Sequence, residues 1–322
     1  MKKTVSAVIL LFAAIIWGVA FVFQKKASFV PPFALLSMRS IVAVIFLIFA
    51  IIVFDKASAN GRQLFSPKKR KIDITKHELI GGAVCGTFLL AASAAQQIGI
   101  GGTDAGKTAF ITSLYVLLVP IIGILVGKKA PVNALVSVGI AVVGFYLLCI
   151  KEDFSIEPSD ILVLSCAFLF ALQIMSVDRY APRCDGVRLS LVQFATVTVE
   201  AAIISLIFEP AVPISTVSEA LPDILYLGIA SSGIAYTLQI IGQKRSEPTV
   251  ASIIMCLESV IGAIASAIIL HERMLPREYL GSAIVFGAVL LSQITFGKKK
   301  GSTAEKDEAP TKIKQKSSLF DK

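Results

Sequence analysis

Apolar residues run along this chain in blocks of about 20, separated by short polar or basic stretches, and that length matches the roughly 30 Å of hydrocarbon in a bilayer. The blocks fall near 5–24, 33–54, 78–98, 105–127, 131–150, 160–180, 189–208, 221–243, 248–270 and 276–296. They predict an all-α membrane protein of about ten transmembrane helices. The pattern also recurs. Sliding the second half over the first by about 143 positions puts Gln96 on Gln239, Gly99 on Gly242, Tyr115 on Glu258 and Gly144 on Gly287. Earlier blocks match at a shift about ten residues larger, so that Trp17 meets Phe170 and Arg39 comes close to Gln193; the difference fits an insertion in the basic loop between Asp55 and His77. Five blocks per half is an odd number, so the second copy is expected to enter the membrane in the opposite sense, as two inverted five-helix repeats. The repeats span 5–150 and 160–296. The stretch Lys151–Ser159 links them, and 297–322, rich in Lys, Glu and Ser, reads as a disordered cytoplasmic tail.

Composition supports the membrane reading. Hydrophobic residues make up 55% of the 322, charged residues 16%, and the mean hydropathy is +0.79, far too apolar for a soluble domain of this size. The first block follows Met1-Lys2-Lys3 but is longer than the apolar core of a signal peptide and reads as a first span. The net charge of +9 marks orientation rather than a nucleic-acid partner. With both termini cytoplasmic, about 24 basic residues fall inside against roughly six outside, the asymmetry of the positive-inside rule. The expected location is the cell (inner or plasma) membrane, crossed many times. The five cysteines are scattered and odd in number, and His77 and His271 lie far apart, so neither a disulfide framework nor a metal site is expected.

Two motifs mislead. Gly101-Gly-Thr-Asp-Ala-Gly106-Lys107-Thr108 has the spacing of a phosphate-binding loop, but it joins two spans with no preceding strand, and a glycine-containing turn is the reading its context supports. Pro67-Lys68-Lys69-Arg70-Lys71 looks like a nucleic-acid patch, yet between two spans it holds its loop at the cytoplasmic headgroups.

The candidate chemistry lies inside the spans. A charged acid at mid-membrane costs about 2.5–3.5 kcal/mol, so Glu258, near the middle of the ninth block, must face a cavity, find a partner or stay protonated. It is a candidate proton carrier, or else a structural acid satisfied by neighbouring hydroxyls and amides. Glu200, mid-block in the seventh, carries the same argument. Arg39, about seven residues into its block, either anchors an anion or snorkels to headgroups. Gln24, Gln96, Gln97, Gln173, Gln193, Gln239, Tyr115, Tyr146 and Tyr236 either bind solute or tie helices together. Trp17 either lines a cavity or packs. Pro120, Gly123 and Gly127 in the fourth block, with Gly262 and Ser266 in the ninth, are expected to let these two helices approach closely. His271-Glu272-Arg273 reads as a charge cluster at a helix end.

Together, Trp17-Gly18, Arg39, Thr108-Ala-Phe-Ile-Thr-Ser-Leu-Tyr115, Leu257-Glu258-Ser259-Val260, His271-Glu272-Arg273 and the run Gly281 to Leu291 resemble the drug/metabolite transporter superfamily, in its ten-helix EamA type. The resemblance covers about residues 5 to 296. It departs from the family pattern at Gly127-Lys128-Lys129 and His271, where the family often has Gly-Glu-Arg, and at Ser259, where it has proline after the ninth-span glutamate. It implies a secondary transporter, working by alternating access as an exporter of a small organic metabolite such as an amino acid, or of a drug, coupled to protons or to exchange. The expected partners are a small-molecule substrate and the lipid bilayer, with a homodimer left open and no cofactor required. The competing class is a membrane-embedded enzyme acting on a lipid-linked substrate, which needs His271, Glu272 and outer-loop acids gathered in one cleft.

Overall fold

In the computed structural model the described residues are 3–59, 74–125, 132–149, 156–244, 251 and 254–293. They form α1 (Lys3–Lys26), α2 (Pro32–Ala59), α3 (Lys76–Gly102), α4 (Ala105–Ser113), α5 (Tyr115–Leu125), α6 (Val132–Cys149), α7 (Pro158–Tyr180), α8 (Gly186–Phe208) and α9 (Ile214–Leu225). A π-helical segment, Tyr226–Ala235, continues into α10 (Tyr236–Gln243), followed by α11 (Leu257–Ile269) and α12 (Pro276–Gln293). The tail 297–322, the Pro67–Lys71 cluster and Gly127 lie outside the described residues.

Each of the ten expected blocks contains a helix, and among the described residues seven helical stretches are long and apolar enough to cross a membrane. Their outer surface is apolar: Ile45, Phe49, Val142, Leu206 and Ile268 are each more than 60% exposed, which only a hydrocarbon solvent tolerates at this density. Three blocks differ from the expected uninterrupted spans. The fourth is two helices, α4 and α5, broken at Leu114. The ninth turns at Cys256, so α11 begins only at Leu257. The eighth starts earlier than its apolar run, at Ile214, and switches to π geometry midway. Local hydrogen bonding accounts for the first two. Ser113 Oγ donates to Phe110 O and Ser259 Oγ to Cys256 O, both 2.7 Å, and such back-bonding competes with the backbone ladder and bends helices. Hydropathy is blind to both breaks.

The halves contact each other reciprocally. α2 packs on α8, α4 on α11 and α6 on α12; α1 against α11 is mirrored by α7 against α4 and α5, and α3 against α7 by α10 and the π segment against α1. Absent side chains permit the closest approaches. A Cβ on Gly18 would lie 2.6 Å from Ile261, one on Gly228 2.6 Å from Val42, and one on Gly144 2.9 Å from the backbone of Gly281. Gly262 and Ser266 mark a close contact with α4, the first part of the fourth block: a Cβ on Gly262 would meet Ala109 at 2.8 Å, and one on Gly106 would meet Ser266 Oγ at 3.5 Å. Pro120 lies within α5, half-buried.

Helix ends meeting at the α3–α4 turn side are tied across the halves. Glu209, just after α8, accepts from Phe33 N and Ala34 N at the start of α2, both 2.8 Å. Glu272, just after α11, accepts from Ala105 N at 2.9 Å and from Ser266 Oγ, which closes the start of α4. Arg277 Nε donates to Leu147 O, 3.2 Å, joining α12 to the end of α6. Carboxylates at helix N-termini satisfy orphan amides and the positive end of the dipole. At the other side, Thr75 and Glu78 form a capping box on α3 while Glu78 also accepts from Asp185 N, 2.9 Å, and Asp185 caps α8.

Candidate functional site

At the centre lies a narrow cavity of about 490 Å³ lined by polar and aromatic side chains. α1 contributes Trp17, Phe21 and Gln24, α2 contributes Arg39, and α3 Gln96. The fourth block gives Thr112 and Tyr115, one on each side of its break. From the second half come Phe170, Gln173 and Ile174 on α7, Ser231 in the π segment, Tyr236 and Gln239 on α10, and Met255 and Glu258 around the Cys256 turn. Several of these are repeat-related pairs at the shifts read from the sequence: Trp17 with Phe170, Gln96 with Gln239, Thr112 with Met255, and Tyr115 with Glu258.

The broken helices place the acid. Glu258 lies in the first turn of α11, where the positive end of the helix dipole favours negative charge. Tyr115, the first residue of α5, faces it closely enough to interact, although its hydroxyl has no partner at hydrogen-bonding geometry among the described residues. Arg39 is buried at 3% exposure with no carboxylate in ion-pair range among the described residues, and its Nε is unpartnered. It therefore does not snorkel. The amides are chained: Gln239 Nε2 donates to Gln173 Oε1 at 3.4 Å and Gln173 Nε2 to Gln193 Oε1 at 3.3 Å, while Gln96 Nε2 donates to Thr112 Oγ1 at 3.2 Å. Trp17 and Phe194 both meet the Tyr236 ring edge-on, centroids 4.7 and 5.5 Å away, which fixes one wall.

Nine candidates thus line one cavity: Trp17, Gln24, Arg39, Gln96, Tyr115, Gln173, Tyr236, Gln239 and Glu258. Two do not. Gln193 stands behind Gln173 as a buried hydrogen-bond partner. Glu200 faces a separate cleft and accepts from Thr87 Oγ1 at 2.7 Å. Gln97 donates to Gln24 O, tying α3 to α1, and Tyr146 is 43% exposed on the outside of α6. Phe21, Thr112, Phe170, Ile174, Ser231 and Met255 escaped the polar-residue reading; applying the repeat shift to Trp17 and Tyr115 and their helix neighbours would have found most of them.

The loop-like motif is a helix–turn–helix with Lys107 turned inward. Its Nζ lies 2.7 Å from Asp160 Oδ2, with side-chain exposures of 10% and 0%, a buried ion pair from α4 to α7 that the sequence did not reveal. Lys25 Nζ clamps the same turn through Ile100 O, Gly101 O and Thr103 O. Glu209 and Glu272 are spent on different helices and do not converge with His271 on one cleft.

A helical membrane bundle whose halves enclose a central polar cavity defines the class of membrane transporters. The profile of the EamA-like transporter family matches residues 4–150 and again 158–293. The chain belongs to that family, within the drug/metabolite transporter superfamily. It is similar to an uncharacterized transporter of Archaeoglobus fulgidus, 29% identical over 284 residues, covering 88% of this chain and 83% of that one. A solved crystal structure shares the fold, with a TM-score of 0.64 at 17% identity over 90% of this chain and 96% of the other.

Proposed function

We propose that this transporter exports a small organic solute, an amino acid-like metabolite or a drug, by alternating access between two inverted repeats with both termini in the cytoplasm. The observation that carries this reading is the cavity, in which Arg39, with no carboxylate in ion-pair range among the described residues, and Glu258 are held among amides contributed by both halves. Arg39 binds the solute carboxylate, the amides hold its polar groups, and Trp17 and Phe170 cover its apolar part. Glu258 carries the coupling proton. The reciprocal helix contacts and the double family match support the repeat. The Lys107–Asp160 pair and the Glu272 cap join the halves, and the Lys25 clamp braces the same turn within the first half, on the side that the charge asymmetry assigns to the exterior. These contacts must part for release.

The test begins with a thermal-shift screen of amino acids and lipophilic drugs on purified protein, followed by liposome transport of the hits. A pH gradient should drive accumulation in the parent protein, and Glu258→Gln should retain solute exchange while losing the gradient-driven component. Undiminished proton-driven accumulation in Glu258→Gln would remove Glu258 as carrier, and transport unaffected by Arg39→Met would remove the carboxylate anchor.

A further inference from the structure

Glu200 lies outside the central cavity, in an open groove between α3 and α8 that reaches Phe33 at the start of α2. Its walls are Leu90 and Ala94 of α3 and Ile203 and Ile204 of α8, all apolar. Neighbouring Val199, Ile203, Leu206 and Ile207 are 52–85% exposed, so the cleft opens toward the lipid rather than toward the central path. Glu200 precedes the last residue of α8, Phe208, by eight positions, about 12 Å at 1.5 Å per residue, which sets the carboxylate in the hydrocarbon. There it has one neutral hydrogen bond, from Thr87 to Oε1; Oε2 is unpartnered, and no Lys, Arg or His among the described residues pairs with it. An acid at this depth either stays protonated or takes a countercharge, and none of the described residues supplies one.

We infer that this cleft is a lateral binding site for a lipophilic ammonium ion, an apolar body carrying a protonated amine, which enters from the bilayer and places its cation on Glu200 while the body lies along Leu90, Ala94 and Ile203. The charge selects a cation and the walls select an apolar one. A zwitterionic lipid is excluded by depth, since its phosphate would have to descend about 12 Å into hydrocarbon to bring an ammonium to Glu200. The site is distinct from the central cavity and stands whether or not the carboxylate-solute reading above holds.

The experiment uses the full chain in phosphatidylcholine nanodiscs, titrated with pyrenebutylamine and with its neutral analogue pyrenebutanol, against empty nanodiscs. Saturable binding of the amine, at least tenfold tighter than the alcohol, is expected. It should weaken tenfold or more in Glu200→Gln and in Ala94→Phe, which fills the cleft by a different route, and persist in Glu258→Gln; melting curves confirm that each variant is folded. Equal binding of amine and alcohol, or of parent and Glu200→Gln, overturns the site and leaves an acyl-chain crevice. Loss in Glu258→Gln with retention in Glu200→Gln also overturns it, by assigning the amine to the central cavity.

Discussion

Replacing Lys107 with Met isolates the cost of the link between the two halves. The change removes the ammonium 2.7 Å from Asp160 Oδ2 and leaves a fully buried carboxylate whose Oδ1 already lacks a partner. Breaking a buried pair by deleting one member typically costs about 3–5 kcal/mol, most of it the stranded charge, whereas replacing both members with apolar groups is often neutral. If the pair exists only in the form closed on this side, its loss moves the equilibrium toward the open form by the same energy. At 1.4 kcal/mol per decade, about 3 kcal/mol is a shift of roughly 100-fold or more. Hydrogen exchange measured by mass spectrometry on the α3–α4 turn and the start of α7, in nanodiscs, reads that opening. Lys107→Met should speed exchange there by about two decades, with α6 and α12 unchanged, and Lys107→Met/Asp160→Leu should recover most of the protection. Exchange unchanged in the single variant, or equally fast in the double, would refute the argument that a stranded Asp160 charge drives the opening.

Two further outcomes follow from the packing. Gly18→Val should destabilise the protein by about 1–3 kcal/mol or more, because its Cβ would meet Ile261 at 2.6 Å and Glu258 O at 2.9 Å; a chemical-denaturation midpoint matching the parent would show that α1 and α11 are not held this closely. Cys184, in the short connection between α7 and α8, is 3% exposed, and burial pushes its thiol up to about 11, with the nearby Glu78 carboxylate adding to the shift. Since the thiolate is the reactive form, labelling of this residue by a soluble maleimide at pH 7.5 should be negligible until the protein is denatured and should rise as pH approaches 11; rapid labelling of the folded protein at pH 7.5 would contradict its burial.

Sequence reading found the helical spans because length and hydropathy answer directly to bilayer thickness. It also found most of the polar wall, since Arg39, Glu258 and the amides have few reasons to sit in hydrocarbon. It could not separate Glu200 from that set. Hydropathy says nothing about which neighbouring helix a polar side chain meets: Gln193 and Glu200, about two turns apart on nearly the same side of α8, meet Gln173 of α7 and Thr87 of α3. Lys107 and Glu272 show the same limit. As sequence they are a loop cation and a loop anion; only the meeting of α4 with α7 and α11 makes one half of a buried pair and the other a helix cap.

What the chain determines by itself is therefore a one-dimensional balance: which segments prefer lipid to water, which loops prefer the basic side, and where an expensive polar group is retained. What the tertiary structure decides is pairing. Whether Glu258 meets Tyr115, Asp160 finds Lys107, or Glu200 meets Thr87 depends on rotations of whole helices about their axes, set by glycine-to-side-chain contacts between residues distant in sequence. No local stretch encodes that rotation, because its energy appears only when two helices touch.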